Sequence, residues 1–328
     1  MPFDLVTIGR VGVDIYPDQV GVGLAEVEHF TRYLGGSATN VAVAAARLGL
    51  RSAVVTRTGA DPFGDYVHAA LRGFGVDERW VSPVPGLPTP VTFCAMLPPD
   101  DFPLYFYREP KAPDLEIRAD ELDLPELAAA RVLWATVTGL CQEPSRTATL
   151  TALRLRRRTH PTVLDLDYRA QFWPSATAAT TAVSAALPYV TVAVGNLDEC
   201  EVAVGTRDPR AAGTALLDCG VGLAVVKLGP DGVLAMTRTE IARAAPIPVQ
   251  VVNGLGAGDA FGGALCLGLL RGWPLARVLR FGNAAGAIVA GQIACSAAMP
   301  TEAEVDAVLA EVGLAEPEGV SGARSHQP

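Results

Sequence analysis

From Arg131 onward the chain alternates short apolar runs with helix-like segments, and few folds satisfy that rhythm. The runs 132–135, 163–166, 190–194, 223–228 and 233–236 are rich in valine, leucine and alanine. Strands this apolar need cover on both faces, which intervening helices supply. The alternation therefore predicts a mainly parallel sheet with helices on either side. Earlier strands are expected over 4–9 and 52–58. Helices are expected over 41–48, from Asp61-Pro62 to Gly75, and near 260–271, 275–294 and 301–312, with Pro274 and Pro300 marking starts. The run Arg154 to Arg158 reads as a solvated face at a helix C-terminus, matched to the helix dipole.

At 328 residues, half of them hydrophobic, the chain can bury a large core. A formal charge of −9 argues against nucleic acid or anionic membrane as a bulk partner, though not against an anionic substrate in a basic pocket. The six cysteines form no C-x-x-C and the four histidines no local cluster, so a His/Cys metal centre is not expected. Isolated cysteines in apolar runs favour the cytoplasm. The N-terminus lacks the apolar region of a signal peptide. The uncharged stretch 281–300 carries Asn283, Gln292 and Ser296 and suits a buried helix better than a membrane span. One domain over 1–313 and a frayed tail over 314–328 are expected.

The stretch 251–264 reads as strand, tight loop and helix, closed by Arg271 and Gly272. Gly256, Ala257 and Gly258 place no bulky side chain over the amides that a helix start leaves unpaired, so an anion can approach. A phosphate fits there, as does charge on a phosphoryl group in transfer. Asp259 would repel a bound phosphate beside it. It makes chemical sense as a base that takes the proton of an acceptor hydroxyl. On the loop alone, a dipole-matched acid in a first helical turn remains the plainer reading. The loop is neither a Walker A motif nor a dinucleotide fingerprint.

A second glycine loop, Gly35-Gly36-Ser37-Ala38-Thr39-Asn40, feeds an alanine-rich helix, with Ser37 as expected cap and Gly49 as its close. Asn40 either caps locally or turns its amide to a pocket. Asp14 is expected near a strand's C-terminal end, where ligands bind in open parallel sheets, or in a solvated loop. Segments 12–34 and 88–113 read as a small β lid that carries Tyr105, Tyr107, Arg108 and Lys111. Asp165, Asp167 and Arg169 follow a strand. Asn196 and Glu199 share one helical face, as a helix start or as partners for hydrated magnesium on phosphates. Lys227 to Gly232 is a turn whose lysine suits phosphate and whose Gly229 and Gly232 allow close approach. Asn283 is a capping amide or meets a nucleotide base.

Taken in order, Gly35-Gly36 to Asn40, Asn196-x-x-Glu199, Lys227-x-Gly229-x-x-Gly232 and Gly256-Ala257-Gly258-Asp259 resemble the ribokinase-like sugar kinases, the phosphofructokinase B family, over about residues 4–312. The resemblance implies a three-layer αβα sandwich with a β lid, using ATP and magnesium. It implies Asp259 as catalytic base and the amides of Gly256, Ala257 and Gly258 as anion hole. Asn196 and Glu199 would order magnesium and phosphate, Glu199 through water. Lys227, Gly229, Gly232, Gly258 and Asn283 would line the nucleotide site. Asp14, Gly35, Gly36 and Asn40 would hold sugar hydroxyls.

A narrower likeness is carried by 34–40, 98–108, 165–169 and 253–259. These stretches are similar to the 5-dehydro-2-deoxygluconokinases of myo-inositol catabolism, which phosphorylate the terminal hydroxyl of 5-dehydro-2-deoxy-D-gluconate. That substrate is a carboxylate, and Arg108 and Arg169 are sensible partners for it or for the phosphoryl group. Kinases of 2-keto-3-deoxygluconate, fructose, ribose or a nucleoside are alternatives, as is a catalytically silent sugar-binding regulator. The wider family opens its second signature with Asp-Thr, whose Asp helps bind a monovalent cation. Asn253-Gly254 stands there in this chain, which leaves a cation requirement open, and Asp167 stands where Asn is common. A small-molecule sugar acid is the expected partner, with no nucleic acid and no membrane. An exposed lid edge invites a homodimer.

Overall fold

The computed structural model describes residues 2–99 and 101–313; the expected tail lies outside the described residues. In chain order the strands are β1 (Leu5–Ile8), β2 (Gly12–Pro17), β3 (Phe30–Gly35), β4 (Ser52–Gly59), β5 (Val81–Val84), β6 (Val91–Cys94) and β7 (Leu104–Tyr107). They continue as β8 (Val132–Thr136), β9 (Thr162–Asp165), β10 (Val192–Asn196), β11 (Leu223–Lys227), β12 (Val233–Met236) and β13 (Ile241–Ala244). The α-helices are α1 (Ser37–Arg47), α2 (Pro62–Gly73), α3 (Leu124–Ala129), α4 (Ser145–Leu155), α5 (Ala176–Ala186) and α6 (Leu197–Val204). After them come α7 (Pro209–Asp218), α8 (Ala257–Arg271), α9 (Leu275–Ala290) and α10 (Glu302–Glu311).

Nine strands form one sheet in the order β13-β12-β11-β10-β9-β8-β1-β4-β5. Its pairs are parallel from β11 to β5, while β12 runs antiparallel to both neighbours. Side chains alternate between its faces. On β1, Leu5 packs toward α1 and α8, while Val6 and Ile8 pack toward the layer that includes α3 to α7. Helices thus cover both faces and make three layers. Strand order reverses at β1, whose neighbours are β4 and β8. A reversal of this kind opens a crevice at the C-terminal strand ends.

Four strands from the segments read as a lid form a separate sheet, β3-β2-β6-β7. Asp14 lies in the middle of β2, opposite Tyr33 of β3 and Thr92 of β6, not at the end of a central strand. Strands β5 and β13 escape the sequence reading. Both are edge strands, and Pro83 in one and Arg243 in the other interrupt any apolar run.

Helix α8 settles directly on α1. A Cβ at Gly263 would stand 2.5 Å from the Ala44 Cβ and 2.9 Å from the Ala45 nitrogen, so only a glycine permits this approach. The stretch Val251-Val252 is not a strand. The amides of Val252 and Asn253 both bond the carbonyl of Ala290 at the end of α9, which draws the segment off the sheet. Among the described residues no helix is long and apolar enough to cross a membrane, and α9 ends at Ala290.

The arginine run is not a solvated face throughout. Arg156 is 2% exposed, and its guanidinium donates to the carbonyls of Leu127, Ala128, Ala130, Arg131 and Pro161. It ties the end of α3 and the entries to β8 and β9 to one charge, which the short local pattern does not reveal.

Candidate active site

The C-terminal crevice is built around the start of α8. Gly256 caps the helix in the left-handed region at φ 80, and a Cβ there would reach 2.9 Å from the Cys295 sulfur. Only glycine suits the conformation and the space together. The first-turn amides that follow have no intrahelical acceptor. Asp259 stands among them with both carboxylate oxygens held. Ser37 Oγ donates to Oδ1 at 2.8 Å, and Asn40 Nδ2 donates to Oδ2 at 2.8 Å. Ser296 Oγ in turn donates to Asn40 Oδ1 at 2.6 Å, which fixes which way the amide faces. Ser37 is therefore no helix cap. Gly36 takes that place at φ 102, and the Ser37 hydroxyl serves the carboxylate. Burial pushes the Asp259 pKa up, the Asn40 hydrogen bond opposes that, and the nearby Asp167 charge adds to the rise.

Helix α6 opens with a reciprocal cap. The Glu199 amide donates to Asn196 Oδ1 at 2.9 Å, and the Asn196 amide donates to Glu199 Oε2 at 2.7 Å. The plain helix-start reading of this pair is realised, yet it does not exhaust the pair. Glu199 is buried, with Lys227 Nζ 3.9 Å from Oε2 and Arg169 Nη1 3.8 Å from Oε1. Lys227 also lies 4.0 Å from Asp165. Burial disfavours the Lys227 ammonium, but Glu199 and Asp165 outweigh it and raise its pKa. Burial raises Asp165 to about 7. Burial also acts to raise Asp167, but the guanidinium groups of Arg169 and Arg10 hold it below the usual carboxylate range.

Beside this cluster opens a cleft of about 770 Å³, lined in part by Lys227, Gly229, Gly232, Gly258 and Asn283. Val233, Ile247, Val249 and Ala287 give it an apolar wall. Gly258 borders Lys227, whose Nζ would stand 3.2 Å from a Cβ at that position. At Gly232 a Cβ would strike the Ala244 carbonyl at 2.1 Å. Asn283 Nδ2 donates to the Ala245 carbonyl at 2.7 Å, so it braces the wall as well as lining it. A largely apolar cleft bordered by a lysine and a helix N-terminus suits a purine ring with a phosphate chain.

Toward the lid, Asp14 is buried and accepts from Tyr16 Oη at 2.8 Å, and Tyr16 in turn meets the Cys295 sulfur at 3.0 Å. Burial raises Asp14 to about 6 against that hydrogen bond and the Arg10 charge. Gly35 faces this carboxylate so closely that a Cβ would fall 2.2 Å from its Cγ, and a Cβ on Gly36 would fall 2.5 Å from the Arg10 carbonyl. The glycine pair thus lets α1 begin directly against the lid sheet. Asn253 closes its own loop: Nδ2 donates to the Ile293 carbonyl at 2.7 Å and Oδ1 accepts from the Leu255 amide at 2.9 Å.

The structure gathers Asp259, Asn40, Glu199, Lys227 and Arg169 into one charged network. Arg108 stands apart from it. Its Nη2 binds both oxygens of buried Asp114, at 3.0 and 2.7 Å, and its guanidinium covers the Phe172 ring. Ser37, Ser296 and Arg10 carry no site role in the sequence pattern, and Asp165 stands there only as a carboxylate after a strand. Arg10 follows a strand that the pattern did place, and that position was the available signal. Among the described residues no group of three or more His, Cys, Asp or Glu could hold a metal ion directly.

The family described as pfkB family carbohydrate kinase matches residues 3–302. The chain is 33% identical over 306 residues to a protein of Clostridium perfringens named 5-dehydro-2-deoxygluconokinase, covering 91% of this chain and 90% of that one. A protein of the same name from Shouchella clausii is 33% identical over 314 residues, covering 94% and 96%. A solved fructokinase from Vibrio cholerae O395, in a form with fructose, ADP and calcium ion bound, superposes with a TM-score of 0.82 at 25% identity, covering 94% and 99%.

Proposed function

The chain belongs to the pfkB family of carbohydrate kinases, and from that premise we propose that it transfers the γ-phosphoryl group of ATP to the terminal hydroxyl of a sugar acid, 5-dehydro-2-deoxy-D-gluconate. The observation that carries this reading is Asp259. It stands at the amide-rich start of α8, with Asn40 beside it and the Lys227 cleft adjoining. A base, an anion hole and a phosphate-facing cation are then neighbours.

The substrate hydroxyl faces Asp259, with Asp14 and Asn40 holding other hydroxyls and Gly35 and Gly36 giving room. As the hydroxyl oxygen attacks γ-phosphorus, its proton passes to Asp259. The new P–O bond replaces the bond to the bridging oxygen, and ADP departs with that electron pair. A base held by two hydrogen bonds loses little time in wrong orientations. The amides of Gly256, Ala257 and Gly258 and the Lys227 ammonium meet charge on the transferring group. Arg169 stands on the same side through Asp167 and Glu199.

Magnesium fits as an ion held by phosphate and water. Glu199 Oε1 lies 3.8 Å from Arg169 Nη1 with no backbone donor on it among the described residues, and the carboxylates of Asp165 and Asp167 add hard oxygen donors nearby without closing a cage. When bound, the ion would neutralise phosphate charge, with Glu199 and Asn196 ordering its waters.

The names of the similar proteins support an acid as substrate, and Arg10 and Arg169 place two guanidinium groups at the site that could meet it. A coupled ADP-release assay over a panel of sugars and sugar acids tests it. The account expects the highest kcat/KM for 5-dehydro-2-deoxy-D-gluconate. A clear preference for fructose, ribose or a nucleoside overturns the substrate, and ADP release with none of the panel overturns the kinase reading.

A further inference from the structure

The geometry points to Arg10 as the residue that selects an acid over a neutral sugar, its guanidinium binding the anionic end of the substrate beneath the lid. The inference rests on the sugar-acid reading and assigns that reading's recognition to a residue outside the expected pair, Arg108 and Arg169.

Arg10 is only 9% exposed, yet its Nε, like that of Arg169, is buried with no hydrogen-bond partner. Buried guanidinium donors are nearly always paired, so an orphan at a crevice marks a place where a ligand completes the set. Its ion pair does not complete it. Nε stands 3.5 Å from Asp167 Oδ2, beyond the roughly 2.7–2.9 Å of a charge-assisted hydrogen bond. Asp167 is better served from elsewhere, by Arg169 Nη2 at 2.9 Å and Thr138 Oγ1 at 3.3 Å. Two guanidinium groups therefore share one buried carboxylate. A buried donor left without an acceptor is costly, and a ligand oxygen would relieve it.

The position suits a sugar acid. Arg10 leaves β1 at the crevice where strand order reverses. Its carbonyl accepts from Thr39 Oγ1 and lies against Gly36, in the loop that faces the sugar. Its charge acts on both Asp14 and Asp259. Above it sits Phe106 of the lid strand β7, 5.7 Å from the guanidinium to the ring centroid. The group is thus framed by Asp167 and by a lid ring, within electrostatic reach of the two carboxylates read as meeting the sugar. Arg108 is tied into the same stack only at second hand, through Phe172 and Phe106, and its Nη2 is held by both oxygens of Asp114.

The test compares kcat/KM for 5-dehydro-2-deoxy-D-gluconate with that for its uncharged primary amide, in wild type, Arg10→Met, Arg10→Gln and Arg108→Met. Loss of the charged contact should cut the acid-over-amide preference about 10- to 100-fold in both Arg10 variants, mainly through KM. Arg108→Met should leave that preference within about threefold, because its contacts are with Asp114 rather than substrate. Equal losses on acid and amide in an Arg10 variant that folds would reduce Arg10 to a structural residue and overturn the inference. So would selective loss on Arg108→Met alone. Should Arg10→Met fail to fold, the ratio in Arg10→Gln decides. A wild type that prefers a different acid removes only the named substrate, and the ratio is then read on that acid. A wild type that prefers neutral sugars removes the sugar-acid reading and Arg10's role with it.

Discussion

Replacing Ser37 by Ala should move the acid limb of the rate profile without abolishing catalysis. In the wild type, Ser37 Oγ donates to Asp259 Oδ1 at 2.8 Å and Asn40 Nδ2 donates to Oδ2 at 2.8 Å. Both bonds favour the ionised carboxylate, against a burial that raises its pKa. A hydrogen bond to a charged group contributes about 1.5–3 kcal/mol. One pKa unit corresponds to about 1.4 kcal/mol. Loss of the Ser37 bond should therefore raise the Asp259 pKa by about one to two units, at the lower end if water enters the gap. A base must be ionised to act, so the limb moves toward higher pH. On the acid side of the wild-type limb turnover should fall by about the ten- to hundredfold that this shift implies, and on the plateau at high pH it should return. The assay is kcat and kcat/KM from pH 5 to 9.5 under saturating ATP. A loss of equal size at every pH, with the limb unmoved, would show that Ser37 does not set the ionisation of the base.

Asp14 holds its proton more tightly folded than unfolded, about 6 against 3.8. It therefore subtracts stability as pH rises from about 4 to about 6, by at most about 3 kcal/mol. In urea unfolding, the stability of wild type minus that of Asp14→Asn should fall over that window and level off above it; a flat difference contradicts the burial effect. Arg156→Met should cost about 3 kcal/mol, because the carbonyls it serves lose a charged donor in a buried place. A loss below about 1 kcal/mol would return Arg156 to the solvated face that its neighbours suggest. Asn253 closes its loop with its own amide, so replacing potassium by choline should change kcat by less than about twofold, and a tenfold dependence would contradict that role.

Much of the site lies in short sequence windows, and those windows could be read. Gly256 to Asp259 sit on one helix start, and Asn196 and Glu199 are three residues apart on another. Lys227 to Gly232 form a single turn. The parallel core was legible too, since strands covered on both faces must be apolar throughout. What stayed hidden depends on distant partners. Ser37 meets Asp259 across 222 positions, and Ser296 meets Asn40 across 256. Ser37 begins a helix after glycine and so looks like a cap, because local pattern carries no record of a carboxylate arriving from α8. Arg156 is hidden among four other basic or apolar neighbours in a run whose members have different environments. Edge strands β5 and β13 need no continuous apolar run, and a charged or proline position in each erased the signal.

The account stands on Asp259 as the group that deprotonates the acceptor hydroxyl. Asp259→Asn keeps the shape and the Asn40 and Ser37 neighbours while removing the base. Turnover of the sugar acid should drop about 10²- to 10⁴-fold, with the affinity for a non-hydrolysable ATP analogue, measured calorimetrically, within a few-fold of wild type. Turnover within threefold of wild type, with nucleotide binding intact, would contradict the account.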